Sequence, residues 1–149
     1  MTMYLIDNNA LGPLGDRKTS TFFKEHCRVP AEVAYESRRA KHAKLLEPVT
    51  IEMTPGVLAQ LADVMKTVPA GHMGLVNLYR YKGTADPILV AMAVVLSTQD
   101  LFSDTWLIVT EDKEVRAKAK EFSIDTLTPK ELAEVIDAAT KVAENCVCQ

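Results

Sequence analysis

The sequence predicts an α/β fold, a single domain with a central, mainly parallel sheet covered by helices on both faces. Short apolar runs recur along the chain, and helical segments of about ten or more residues separate them, which is what crossovers between parallel strands require. The chain has 149 residues, 48% of them apolar, enough for one domain over residues 1–149 built on one substantial core. No internal repeat, low-complexity tract or interdomain linker interrupts the pattern.

Met3-Tyr4-Leu5-Ile6 is a compact apolar run that stops at Asp7-Asn8-Asn9, so it reads as a buried strand with polar groups at its carboxyl edge. A loop with Gly12, Pro13 and Gly15 follows, then a weak helix around residues 19–26 and a very short strand at Cys27-Arg28-Val29 closed by Pro30. The spacing predicts one helix from Ala31 to Leu46, ended by Pro48. Val49, Ile51 and Met53 alternate with polar residues as a strand does, and Thr54-Pro55 opens a helix carrying Val57, Leu58, Leu61, Val64 and Met65. After a loop over residues 69–74, residues 75–81 read as a short helix, and Ile88 to Leu96 as a buried one. Trp106-Leu107-Ile108-Val109 is the clearest strand and ends at Thr110-Glu111-Asp112. A helical segment with Val115, Ala119 and Phe122 leads to a short strand at residues 124–127. Thr128-Pro129-Lys130-Glu131 is a capping box for a last helix with Leu132, Val135, Ile136, Ala139 and Val142 on one face.

Composition narrows the function. Lys and Arg number 17 against 20 Asp and Glu, a net charge of −3, which excludes a protein that coats nucleic acid by bulk charge. Three cysteines, Cys27, Cys146 and Cys148, form an odd count that argues against a disulfide framework and for a reducing, cytoplasmic setting. Cys146 and Cys148 lack zinc-site spacing, and His26 and His72 lack neighbours at metal-ligand spacing. The longest uncharged apolar run, Pro87 to Leu96, is ten residues, too short to cross a membrane, and Asp7 stands where an export signal would be apolar.

Sites in open parallel sheets form outside the carboxyl ends of the strands, where Asp7 and Asp112 stand. Each also has a plain structural use as a turn residue or helix cap. On a helix from Ala31, Glu36 falls on the stripe of Val33, Ala40 and Ala43, so a carboxylate faces inward and needs a cation or a metal; Glu32 falls on the solvated side. Asp86, ahead of Pro87, is either a helix cap or, if Thr84 caps, a first-turn acid aimed at the sheet edge.

Taken in order, Tyr4-Leu5-Ile6-Asp7-Asn8-Asn9, Val29-Pro30-Ala31-Glu32-Val33-Ala34-Tyr35-Glu36, Ala85-Asp86-Pro87-Ile88-Leu89-Val90-Ala91-Met92-Ala93 and Ile108-Val109-Thr110-Glu111-Asp112 resemble the PIN-domain ribonucleases. The resemblance runs from the first strand to about Leu127. It implies that Asp7, Glu36, Asp86 and Asp112 are the catalytic acids and hold Mg²⁺ or Mn²⁺, that Asn9 and Thr110 support them, and that RNA is cut to a 5′-phosphate and a 3′-hydroxyl. Glu111 stands at a position where polar residues vary. Small size further resembles the toxin half of a bacterial toxin–antitoxin pair, which implies a homodimer and an antitoxin partner.

The residue types suit that chemistry. Hard divalent ions prefer oxygen ligands and neutralise carboxylates that would otherwise repel one another, and no Ser, Cys or His nucleophile is needed. Arg38 and Arg39, with Lys41, His42 and Lys44, are available to guide RNA, or form an ordinary charged helix face. Two other classes remain: a PIN-like module that binds RNA or protein without cutting, and a phosphoacceptor receiver-like domain. The latter calls for an acid where Met53-Thr54 stands and a lysine where Leu127-Thr128 stands.

Overall fold

The computed structural model describes residues 1–41, 43–75, 85–99 and 104–147. The expected helix over 75–81, apart from Leu75, together with Thr84, His42, Cys148 and the side chain of Cys146, lies outside the described residues.

The protein is α/β, with a five-stranded, all-parallel sheet. The strands are β1 (Thr2–Ile6), β2 (Cys27–Pro30), β3 (Thr50–Ile51), β4 (Thr105–Val109) and β5 (Thr126–Leu127), in the order β3-β2-β1-β4-β5. The chain lays down β1, moves outward through β2 and β3, then returns to place β4 on the other side of β1. This is a topological switch point, and the crevice between the carboxyl ends of β1 and β4 is where such sheets bind ligands. A receiver-type sheet has the order 2-1-3-4-5, a different wiring.

The helices among the described residues are α1 (Asn8–Leu11), α2 (Thr21–His26), α3 (Ala31–Glu36), α4 (Ala43–Leu46), α5 (Pro55–Lys66), α6 (Asp86–Thr98), α7 (Lys113–Glu121) and α8 (Pro129–Val147). Gly15–Thr19 and Glu47–Val49 are 3₁₀ turns. None of these helices is long and apolar enough to cross a membrane.

Side-chain alternation along the strands divides the core in two. Tyr4, Ile6 and Val109 pack with Leu11, Phe23, Val29, Val33, Leu132 and Ile136 on one face. Leu5 and Ile108 pack with Val57, Val64, Leu89, Met92 and Val115 on the other. Because both faces are covered, the strands are apolar on both sides, as buried parallel strands must be. The expected capping box holds: Thr128 N–H donates to Glu131 Oε2 at 2.7 Å, and Glu131 N–H donates to Thr128 Oγ1 at 3.2 Å.

The helix expected from Ala31 to Leu46 is interrupted. It stops at Glu36, and Ser37 has φ −86° and ψ 0°, off the helical basin. Ser37 is buried and its hydroxyl donates to Asn8 Oδ1, a tertiary partner that helix continuation would compete with. Arg38 Nη1 donates at 2.7 Å to the Tyr35 carbonyl, which Arg39 N–H would otherwise take. Glu36 therefore closes a short helix and is exposed, and the inward stripe it was expected to share with Ala40 and Ala43 does not form. Glu32 also departs from expectation: its Oε2 is cut off from solvent and has no hydrogen-bond partner among the described residues. β3 is shorter than the alternation over residues 49–53 suggests, because Val49 is taken into a 3₁₀ turn. On α5, Val57 and Val64 are buried while Leu58 stands exposed, so the covered stripe is narrower than expected.

Candidate active site

β1 and β4 run side by side from Thr2↔Thr105 to Ile6↔Val109, so the residues just past their ends emerge together. Asp7 N–H extends the ladder to the Val109 carbonyl at 3.0 Å. Asp7 is almost fully buried, and every polar contact of its carboxylate is supplied locally. Oδ1 accepts from Asn8 N–H at 2.6 Å; Oδ2 accepts from Asn9 Nδ2 at 2.8 Å and from the Thr110 hydroxyl at 2.6 Å. Asn9 and Thr110 form a clasp between the two strands. Asn9 Nδ2 reaches Thr110 Oγ1 at 3.2 Å, Glu111 N–H donates to Asn9 Oδ1 at 3.0 Å, and Asp112 N–H donates to Thr110 Oγ1 at 3.0 Å. Burial pushes the Asp7 carboxyl up, the hydrogen bonds from Thr110, Asn8 and Asn9 pull it down, and the Asp112 charge pushes it up.

Both strand-end acids perform the structural task open to them. Asp7 caps α1, and Asp112 Oδ1 caps α7 by accepting from Glu114 N–H at 2.7 Å and Val115 N–H at 3.3 Å. One oxygen of Asp112 is left over, since Oδ1 alone accepts both capping bonds.

Asp86 does not cap. Ala85 holds the N-cap position of α6 without a side-chain bond, and Asp86 is the first helical residue, followed by Pro87. Because α6 feeds β4, it runs antiparallel to the strands and brings its N-terminus to the same edge as Asp7 and Asp112. Burial, followed by the charges of Asp7, Asp112 and Glu36, pushes the Asp86 carboxyl up to about 7. No hydrogen bond and no cation offsets this among the described residues. The four acids read from the sequence thus share one electrostatic neighbourhood, although they come from four separate segments.

Glu36 reaches the cluster from the end of α3. Its placement depends on a contact the sequence does not announce, the hydrogen bond from Ser37 to Asn8 Oδ1, which ties the end of α3 to the start of α1. Asn8 N–H in turn holds Asp7, so a single residue links the segments carrying Asp7 and Glu36. The only advance sign was a serine, a poor helix-interior residue, directly after the acid.

Arg38 and Arg39 are exposed beyond Glu36. Neither makes a salt bridge among the described residues. His26 stacks on Phe22, and His72 stands 3.8 Å from Glu114, so neither joins the acids. Cys27 is buried in the core, where burial pushes its thiol up to about 12 and keeps it a neutral apolar group.

Among the described residues no three Asp, Glu, His or Cys side chains stand close enough to ligate one ion as they are arranged. Burial, with the repulsion of the other carboxylates added to it, nevertheless pushes the Asp86 carboxyl up to about 7, and none of Asp7, Asp86 and Asp112 has a basic partner among the described residues. Hard oxygen donors carrying uncompensated negative charge suit a divalent cation of the Mg²⁺ type, which would draw them together by side-chain rotation. No family model matches the chain, and no curated protein matches it.

Proposed function

We propose that this protein is a PIN-like, metal-dependent ribonuclease that hydrolyses RNA phosphodiester bonds. What supports the reading is that Asp7 and Asp112 stand past the paired ends of β1 and β4, and that the charges of Asp7, Asp112 and Glu36 add to burial in pushing the Asp86 carboxyl up. In this reading the four acids hold Mg²⁺ or Mn²⁺, which when bound lowers the pKa of an attacking water and neutralises the phosphate. Asp7 is fixed before metal arrives, because Thr110 and Asn9 immobilise Oδ2 and Asn8 immobilises Oδ1. Asp112, whose Oδ1 caps α7, would offer its second oxygen to the ion, and Asp86 would ligate it as the carboxylate. Burial of Asp7 keeps water from that carboxylate, while the open cleft screens charge placed in it in part.

We further read the chain as the toxin of a toxin–antitoxin pair acting in the cytoplasm, as a homodimer restrained by an antitoxin protein. Support for this part is the resemblance alone. The deciding experiment incubates purified protein with structured and unstructured RNA in Mg²⁺, Mn²⁺ or chelator and maps the cut ends. Metal-dependent cuts leaving 5′-phosphates support the nuclease. RNA bound but uncut under every condition leaves a binding module in its place.

A further inference from the structure

Tyr35 is the most exposed aromatic side chain among the described residues, at 65%, and it directly precedes Glu36. An aromatic ring left that open contributes little to the core. Its surroundings are organised nonetheless. The Arg38 guanidinium lies 3.8 Å from the ring centroid, and its Nη1 is tied at 2.7 Å to the Tyr35 carbonyl. One turn of chain thus holds a cation against an aromatic ring whose remaining surface faces water.

The chain that follows Glu36 is basic. From Ser37 to Leu46 the sequence contains Arg38, Arg39, Lys41 and Lys44 and no acid, in a chain whose net charge is −3. None of these four forms a salt bridge among the described residues. Arg38 and Lys44 border an open groove that Glu47 and Glu52 also line, so the groove itself carries both signs of charge.

An open aromatic ring backed by guanidinium, with basic residues following it in the chain, is the chemistry that accepts the flat face of an unpaired base while phosphates are held nearby. We infer that Tyr35 and Arg38 form a stacking subsite for one unpaired nucleobase, adjacent to the Glu36 end of the acid cluster. This rests on the ribonuclease reading and assigns that reading a substrate-positioning element. A base paired within a duplex keeps its faces covered by its neighbours and cannot occupy the subsite. Arg39 and Lys41 then serve phosphates and carry the salt dependence, whereas Tyr35 carries the dependence on a base.

The test is fluorescence anisotropy of a short labelled single-stranded RNA in chelator, where binding is read without cleavage, with matched duplex and abasic oligonucleotides alongside. Tyr35→Ala is expected to weaken binding of the single strand by about 5- to 150-fold. Tyr35→Phe, which keeps the ring, retains binding within about twofold of wild type. The abasic strand removes the difference between wild type and Tyr35→Ala, and Arg39→Gln lowers the salt slope by about 0.7 while leaving the preference for a base intact. Equal binding by wild type and Tyr35→Ala overturns the subsite, as does a Phe variant that loses as much as Ala, or a wild type that holds no single strand. Circular dichroism melts of both variants exclude unfolding as the cause. Tyr35-dependent binding by a wild type that never cuts in Mn²⁺ sinks the nuclease and leaves the subsite standing. Cleavage and binding both unchanged in Tyr35→Ala do the reverse.

Discussion

Replacing Asp86 with Asn separates the electrostatic role of this residue from its place in the helix. Its carboxyl stands at about 7 in the folded chain against 3.8 when unfolded, and a shift of that size corresponds to about 4 kcal/mol. Water entering the half-buried cleft screens about half, leaving about 2 kcal/mol of combined desolvation and repulsion when the group is ionised. Because the folded value is the higher one, folding retains a proton. The associated stability is fully present below 3.8, declines as pH rises, and is gone above about 7. Asn keeps the shape and removes the charge, so in chelator it should raise stability by about 2 kcal/mol at pH 8 and by under about 1 kcal/mol at pH 4. For a chain of this size that is about 4–8 °C in melting temperature at pH 8. The opposing effect, loss of a negative charge from the N-terminus of α6, is about 0.3–1 kcal/mol and does not reverse the sign. Mn²⁺ at a hundredfold excess over its dissociation constant should add about 2.7 kcal/mol to the wild type and distinctly less to the variant. The assay is a set of thermal melts at both pH values across a Mn²⁺ titration, with Ca²⁺ and salt controls. A variant less stable than wild type at pH 8, or a gain that does not grow with pH, shows that ionised Asp86 carries no such cost. An undiminished Mn²⁺ response removes Asp86 from the metal site.

Asp112→Asn should abolish metal-dependent cleavage while melting within a few degrees of wild type, since Asn caps a helix about as well as Asp, and Asp7→Asn should abolish it at a cost of about 1–3 kcal/mol, because its amide faces donors that the carboxylate accepted; cleavage at the wild-type rate by either purified protein would sink the assignment. Ser37→Ala removes the tie between α3 and Asn8 and should cost about 1 kcal/mol, with a weaker Mn²⁺ response because Glu36 loses its anchor; a full response shows that Glu36 is placed by something else. Replacing Cys146 and Cys148 together with Ser should leave the melting temperature nearly unchanged, and stoichiometric zinc in elemental analysis of the wild type would contradict this.

The strand-end acids were legible because two local signals agree: an apolar run ends, and an acid with turn-forming neighbours begins. Asp86 was legible for a similar reason, as the polar head of a run apolar on every side. Glu36 follows from order along the chain, whereas a helical stripe through residue 46 places it inward; the helix ends where Ser37 finds a partner 29 residues earlier. Periodicity registers neighbours three or four positions away, so a contact at that separation leaves no trace in it. The enclosed Glu32 Oε2 and the exposed Leu58 are misses of the same kind, decided by which elements happen to cover a face.

The position of β1 in the middle of the sheet sets the order in which the site can be made. Its partner β4 begins at Thr105, and the bond between the Thr110 hydroxyl and Asp7 joins residues 103 positions apart. A chain growing from its N-terminus has finished β2 and β3 by then, with one edge of β1 still bare. Closing so long a loop is a late and entropically costly event, and pairings of this kind slow folding. A product truncated before Thr105 carries Asp7, Glu36 and Asp86, and the Asn9 half of the clasp, but lacks Thr110 and Asp112. Such a fragment leaves a buried carboxylate without its hydroxyl donor and a sheet open at its centre. Synthesis itself thereby withholds the assembled acid cluster until most of the protein exists.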